Sequence, residues 1–344
     1  MANETLIEVE NLKVHFPVYS KGLFRRVTGH VRAVDGLSFT LGRGETLGLV
    51  GESGSGKTTI GRAILRALQP TDGRITFNKN DEAVDLTRLE GKALKHFRRH
   101  MQLIFQDPYA SLNPRMTVRD IIAEPLECQT RLSREQIDEK VQEIAGMCKL
   151  NIEHLRRFPH AFSGGQRQRI CIARALVTRP EFVVCDESVS ALDVSIQAEV
   201  INLLMDLQEK MGLSYLFIAH DLSVVAQIST TVAVLYVGRL VEMAPTRKLY
   251  FSPRHPYTWA LMSAVPTIDK NLPFEPIKLT GEIPNPASPP PGCRFHTRCP
   301  YTTDICKNTP PDWQAVDRDH MVACHHAQTL QLGQRPDEYK AAAS

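Results

Sequence analysis

The sequence predicts a largely parallel α/β fold with an antiparallel patch ahead of a glycine-rich loop, a helical insertion after residue 106, and a small proline- and cysteine-rich C-terminal module. Three observations predict it. Apolar runs of strand length (Glu45–Val50, Met101–Phe105, Phe182–Cys185, Leu216–Ala219 and Val232–Tyr236) alternate with segments of helical period, and buried strands alternating with helices build parallel sheets. The loop GESGSGKTT, residues 51–59, joins one of these runs to a helical pattern. After about residue 265 the composition shifts to PFEPIKLTGEIPNPASPPPGC, too rich in proline for a long helix.

Taken in order, residues 6–13 and 37–41 read as short strands, and Gly42 and Gly44 punctuate the approach to the run at 45–50. Ile60, Ile64, Leu65 and Leu68 recur at helical spacing over residues 57–68, and Pro70, Asp72 and Gly73 turn the chain into a strand at Arg74–Phe77. The run at 101–105 ends at Gln106. From about 114 to 160 the pattern is helical. Ser133 and Gln136 form a capping box ahead of Ile137, Val141, Ile144 and Cys148, and Cys148 on that stripe reads as a core residue. Ser163 opens a further helix reaching about Thr178. With no internal repeat, the chain is expected to hold one nucleotide domain over residues 1–250, its helical subdomain at about 107–178, and an extension over 251–344.

The 344 residues suffice for one sizeable core and an appendage, and 42% hydrophobic with 23% charged content is that of ordinary globular proteins. A net charge of +3 gives no argument for nucleic acid as a partner. The basic clusters at Lys21, Arg25, Arg26 and Arg32 and at Lys92, Lys95, Arg98 and Arg99 read as solvated faces, with contact to membrane-proximal protein or lipid headgroups as the alternative. No run of eighteen apolar residues occurs, and the opening MANETLIEVENL lacks a basic region followed by an apolar core, so a cytoplasmic location is expected.

Gly51, Gly56, Lys57 and Thr58 supply the pattern G-x4-G-K-T of a phosphate-binding loop. Backbone N–H groups along Ser53, Gly54 and Ser55 and the following helix N-terminus suit phosphate oxygens, Lys57 the β/γ oxygens, and the Thr58 hydroxyl Mg²⁺, with Thr59 next to it. ATP hydrolysis further needs an oriented water and a base beside it. Asp186 ends the apolar run FVVCD and suits Mg²⁺, and Glu187 is placed to polarise the water; a DE pair at a strand end can also merely close a solvated turn.

The run SGGQRQR beginning at Ser163, followed by Asp186 and Glu187, resembles the signature of ABC-type ATPases, and the resemblance spans roughly residues 6–245. It implies the P-loop ABC ATPase fold, with ATP and Mg²⁺ as cofactors. Gln106 then resembles the glutamine that contributes to the Mg²⁺/water site, SALD at 190–193 the loop ending in Asp193 that meets an opposing subunit, and His220 the histidine that contacts the γ-phosphate. Phe16 matches the aromatic that stacks on adenine. Ser163, Gly164, Gly165 and Gln166 would complete the nucleotide site of a second ATPase subunit. The chain departs from the family at Ser188, where proline usually follows the glutamate.

FQDPYASLNPRMTV at 105–118, RHPYTWALMSAVP at 254–266 and PPPGCRFHTRCPY at 289–301 resemble the ATPase subunits of dipeptide and oligopeptide importers, the second of the two that such importers use. That resemblance implies a heterodimer of ATPases on two membrane permease subunits, served indirectly by an extracytoplasmic binding protein, and a peripheral place on the cytoplasmic face of the membrane. Relatives carry peptides, glutathione, nickel complexes or glycosides. A soluble ABC ATPase of DNA repair or translation would carry long coiled-coil insertions or a fused second cassette, which this chain lacks.

Cys293, Cys299, Cys306 and Cys324, separated by five, six and seventeen residues, suit a metal, but zinc sites normally show pairs two to four apart. Resemblance to the importer tail points to a [4Fe-4S] cluster; zinc and unmetallated core thiols are the alternatives. His296, His325 and His326 read as solvated. The nucleotide domain is expected to have its own core, so that ATP binding persists when any of the four cysteines is replaced by serine.

Overall fold

The computed structural model describes residues 4–20, 26–79, 82–190, 192–264, 276–330 and 332. Lys21 and Arg25 of the basic cluster, Ala191 of the SALD loop, the start of the proline-rich stretch (265–275) and residues 331 and 333–344 lie outside them. In chain order the strands are β1 (Thr5–Tyr19), β2 (Val27–Gly42), β3 (Thr46–Val50), β4 (Asp72–Lys79), β5 (Glu82–Asp85), β6 (Met101–Ile104), β7 (Phe182–Asp186), β8 (Ser214–Ile218), β9 (Thr231–Tyr236), β10 (Arg239–Pro245), β11 (Gln314–Asp317) and β12 (His320–Val322). The helices are α1 (Lys57–Ile64), α2 (Gly91–Phe97), α3 (Pro108–Ser111), α4 (Val118–Gln129), α5 (Arg134–Met147), α6 (Gly164–Leu176), α7 (Val194–Met211), α8 (Leu222–Ile228), α9 (Thr246–Phe251), α10 (Pro256–Ser263) and α11 (Asp304–Asn308). The expected runs recur as β3, β6, β7, β8 and β9. β1 and β2 are longer than expected, because ladder bonding carries exposed polar residues that apolar patterning does not flag. α1 is shorter than expected: Arg66 takes a left-handed φ of 53° just after it and turns the chain away.

The chain divides into two compact units. The first comprises the residues up to Ile7, Thr40–Thr46 and Thr76–Ala219. Its centre is the parallel set β6, β7 and β8, with Gln102 opposite Val183 and Val183 opposite Tyr215. Every residue of β7 and β8 is buried, as parallel strands covered on both faces require. The helical insertion packs α4 against α5 and α6. Ser133 caps α5 through the expected box: its hydroxyl accepts from Gln136 N at 3.3 Å, and its N–H donates to Gln136 Oε1 at 2.9 Å. Cys148 is fully buried, and burial pushes its thiol up to about 12.

The second unit comprises Glu8–Phe39, Leu47–Ile75 and the chain from His220 onward. Here β3 pairs in parallel with β9, β9 forms a hairpin with β10, and β10 pairs antiparallel with β12, which pairs with β11. The hairpin turns at Val237 and Gly238, with φ of 43° and 76°, the doubly positive conformation that matches strand twist. Glu242 of β10 is fully buried and fully engaged. Its carboxylate accepts from the Arg254 and His255 backbone N–H groups at 2.6 and 2.9 Å and faces His320 Nε2 at 2.6 Å.

Candidate functional site

The loop 51–56 leaves β3 and enters α1. Its glycines are required by crowding as well as by torsion. A Cβ on Gly51 (φ 152°) would stand 2.2 Å from the Leu235 carbonyl oxygen, and one on Gly56 (φ 110°) 2.2 Å from that of Ala33. Ser55 is buried, its carbonyl accepting from Gly238 N at 2.9 Å, while Ser53 and Gly54 are exposed. Lys57 is buried and folds over the loop, its Nζ donating to the Gly51 and Glu52 carbonyls at 2.7 and 3.1 Å. Thr58 and Thr59 are half-buried in the first turn of α1. A glycine-rich loop with a lysine folded over it and a helix N-terminus behind it is a candidate cradle for polyphosphate. His220, exposed just before α8, and Phe16, 37% exposed on β1, belong to the same unit.

Glu52, the second loop residue, is held by the C-terminal segment. Arg298 donates through both terminal nitrogens to the Glu52 carboxylate, at 2.8 and 3.1 Å, and the Glu52 N–H donates to the Tyr257 hydroxyl at 2.9 Å. The Glu52 hydrogen bonds raise Arg298 above its ordinary value, against burial. Phe295, 1% exposed, packs on Tyr236, Tyr257 and His255 with ring centroids 5.2, 5.4 and 5.6 Å away. Burial pushes His255 down to about 3, so its ring is neutral, and its Nδ1 accepts from Tyr257 N at 3.1 Å to cap α10. Arg294 pairs with Asp35 and donates to the Val237 carbonyl, and burial pulls its guanidinium down to about 10 despite that carboxylate. The loop and the C-terminal segment are thus in direct contact through Glu52.

In the first unit the two carboxylates stand at the end of β7. Asp186 is buried, 4% exposed, in register with Ile218. Glu187 follows with a left-handed φ of 47°, its N–H donating to the Ile218 carbonyl at 2.9 Å. Gln106, exposed after β6, donates from Nε2 to Glu187 Oε2 at 2.7 Å. A non-glycine residue in this conformation stores strain, here at a carboxylate. Ser188 is 2% exposed, beside the Cys185 thiol. The turn beyond is closed by Ser190 Oγ on the Glu187 carbonyl at 2.9 Å, and Asp193 is the exposed N-cap residue of α7.

Ser163 caps α6, accepting from Gln166 N at 3.4 Å while its own N–H donates to Gln166 Oε1 at 3.0 Å. Gly165 is needed for packing: a Cβ there would meet Ile196 Cγ2 at 2.6 Å, so α6 could not lie as close to α7. Gly164 has room, with Leu192 and the Tyr109 hydroxyl the nearest groups, at 3.7 and 3.9 Å.

The four tail cysteines share the second unit. Gly292 (φ 67°) would place a Cβ 2.3 Å from the Cys306 carbonyl, and its freedom lets Cys293 N donate to that same oxygen at 2.8 Å. Burial pushes Cys299 up to about 11 and Cys324 up to about 12, and Cys324 also feels the charges of Cys293, Cys299 and Cys306. Cys306 Sγ lies 3.5 Å from His326 Nε2. Four soft donors within mutual electrostatic reach fit a thiolate-ligated metal centre chemically. Among the described residues, no three His, Cys, Asp or Glu side chains are arranged to hold a single metal ion.

Residues 34–190 match the family described as ABC transporter, and residues 241–306 that described as Oligopeptide/dipeptide transporter, C-terminal region. The Oligopeptide transport ATP-binding protein AppF of Bacillus subtilis is 51% identical over 324 residues, covering 94% of this chain and 97% of its own. This chain belongs to the ATP-binding subunits of the oligopeptide/dipeptide ABC transporters. The Di/tripeptide transport ATP-binding protein DppF of Pseudomonas aeruginosa is 48% identical over 327 residues, covering 94% of this chain and 98% of its own. Among solved structures, the dimeric post-hydrolysis ATP-binding cassette MJ0796 bound to ADP and Pi superposes with a TM-score of 0.60 at 25% identity, over 70% of this chain and 99% of its own.

The subunit is thus an ATPase with the P-loop ABC fold expected from its sequence. Among the described residues, no helix is long and apolar enough to cross a membrane. Of the residues picked from sequence, the structure joins Gln106 to Glu187 and Ser163 to Gln166. Sequence reasoning missed Glu52, Tyr257, Arg298, Asp35 and Arg294. For four of them the signal lay in plain text, as the ionic residue inside the glycine loop and the tyrosine and arginines of HPYT and CRFHTRC, which served only as family markers; Asp35 carried none.

Proposed function

We propose that this ATPase subunit is the motor of an importer for di- and oligopeptides, acting as one half of an ATPase heterodimer on the cytoplasmic face of the membrane, with two permease subunits and, indirectly, an extracytoplasmic binding protein. The observation that carries this reading is the presence in one chain of both the cassette, at 34–190, and the peptide-transporter C-terminal region, at 241–306. Residues 1–250 are the nucleotide-binding domain, with a helical subdomain at about 107–178, and residues 251–344 the extension.

In this reading the Gly51–Gly56 backbone and Lys57 take the ATP phosphates, Thr58, Gln106 and Asp186 serve Mg²⁺, and Glu187 polarises water, its carboxylate accepting from Gln106. His220 contacts the γ-phosphate and Phe16 the adenine. Ser163, Gly164, Gly165, Gln166 and Asp193 serve the partner subunit's nucleotide. Glu187 takes up the proton of the attacking water as the β–γ bond breaks, leaving ADP and phosphate. Closure on ATP and reopening after hydrolysis would bias the permeases between their two states.

Cys293, Cys299, Cys306 and Cys324 are proposed as ligands of a [4Fe-4S] cluster, with zinc as the alternative. The support is the all-sulfur donor set of four cysteines, which suits an iron–sulfur cluster. The test is reconstitution of the whole transporter in proteoliposomes with its binding protein. Peptide should stimulate ATP hydrolysis, and Glu187→Gln should keep ATP binding while losing turnover by about 10²–10⁴-fold. Stimulation by a nickel chelate, glutathione or a glycoside, with none by peptides, would overturn the peptide reading. Near-normal turnover of the variant would remove Glu187 from its role.

A further inference from the structure

Glu52 poses an electrostatic problem. A loop that must accept a polyphosphate has a carboxylate as its second residue, one position from Gly51 and five from Lys57. Left bare, that carboxylate repels the ligand and competes for Lys57. The structure answers with Arg298, whose side chain is 8% exposed and whose planar fork engages both oxygens of Glu52, at 2.8 and 3.1 Å. The pairing neutralises the charge and fixes its direction in a way a point cation cannot. The same residue is held a second time by the fully buried Tyr257, whose hydroxyl accepts the Glu52 N–H at 2.9 Å and so fixes the peptide plane between Gly51 and Glu52.

Both holding residues are themselves anchored. Tyr257 stands in the first turn of α10, capped by His255, whose backbone N–H is bound by the buried Glu242. Arg298 lies on the segment 293–299, tied down at Arg294 by Asp35 and at Phe295 by the rings of Tyr236 and Tyr257. Nothing in the chemistry of ATP hydrolysis calls for this apparatus, yet it converges on one loop residue.

We infer that Arg298 and Tyr257 are positioning residues for nucleotide binding, acting through Glu52 so that the C-terminal segment sets the shape and charge of the phosphate loop. The inference rests on the reading of 51–57 as the phosphate cradle.

The experiment uses the full-length ATPase in its transporter complex and measures the Kd of ATP, KM, kcat and the melting temperature for Arg298→Ala, Arg298→Lys, Tyr257→Phe, Glu52→Gln and the double variant Glu52→Gln/Arg298→Ala. Arg298→Ala should raise Kd and KM about tenfold, the scale of losing one charge-assisted pairing, with kcat at saturating ATP within about twofold of wild type. Arg298→Lys should fall between the two, and Tyr257→Phe should raise Kd about threefold to tenfold. Adding Glu52→Gln to Arg298→Ala should recover most of the affinity, because the repelling charge is gone; a purely structural brace would show no such rescue. Should Arg298→Ala not fold, Arg298→Lys and Tyr257→Phe decide on the same readouts. Wild-type Kd in those variants, or a loss confined to kcat or melting temperature, overturns the inference. Lys57→Ala separates the two failures. If it loses ATP while the Arg298 and Tyr257 variants bind normally, the cradle stands and the positioning role falls. If it too binds normally, the reading of the loop falls.

Discussion

Glu187 offers a test of conformation that is independent of catalysis. Its φ of 47° is left-handed, which costs a residue with a Cβ about 1–2 kcal/mol and glycine almost nothing. Consider Glu187→Ala and Glu187→Gly. Both lose the carboxylate and the 2.7 Å hydrogen bond from Gln106, so those losses cancel in the comparison. Two terms remain. Glycine relieves the left-handed strain, and it makes the unfolded chain about 0.4–1 kcal/mol more favourable. The difference is roughly 1 kcal/mol in favour of glycine, the reverse of the order at an ordinary site, where alanine is the more stable. Urea denaturation without nucleotide, followed by circular dichroism, reads the difference directly. The glycine variant should unfold at the higher urea concentration with an unchanged m-value, while both variants have lost turnover. A more stable alanine variant would refute the claim that the carboxylate is held under backbone strain.

Other outcomes follow from the same geometry. Lys57→Ala should weaken ATP binding at least tenfold in nucleotide titration, because it removes the cation over the loop. Ser163→Arg should leave this subunit's ATP binding intact yet abolish the ATP-dependent sandwich with its partner, read by crosslinking or light scattering. Asp35 is partly destabilised by burial, but Arg294, Arg239 and His15 hold it below its ordinary 3.8; its contribution is present at neutral pH and is lost as pH falls below that value. Asp35→Asn should therefore melt lower than wild type at pH 7, with the gap closing in acid. Anaerobically purified protein should be brown, with about four irons and four sulfides per chain, and serine at Cys293, Cys299, Cys306 or Cys324 should lower both; a colourless protein with one zinc would favour the alternative.

The central strands were legible because burial on both faces turns each into an unbroken apolar run, as in Phe182–Cys185. The buried positions of α7, Val200, Ile201, Leu203, Leu204 and Leu207, also recur at helical spacing. The loop and carboxylate residues were legible because their chemistry demands fixed types at fixed spacing. Other features were not. β12 has three residues, and its identity rests on pairing with β10 and β11, which no local pattern encodes. The Glu52–Arg298 pair joins residues 246 positions apart, and no local pattern says that they meet. The left-handed turn at Glu187 is imposed by the strand it leaves, because glutamate has no preference for it.

The pairing of β10 with β12 bears on how this chain can be cut. Glu242 lies opposite Val322, Met243 lies opposite Met321, and Ala323 N donates to the Val241 carbonyl at 2.9 Å. A chain trimmed after α10 to leave a minimal cassette would strip this cover and present a row of unanswered backbone donors and acceptors along β10, with a carboxylate at its centre that had been wholly sheltered from water. Open strand edges of that kind recruit other chains. Such a fragment would emerge as a self-associating species, and any low activity it showed would mix that aggregation with the loss of Arg298 from Glu52.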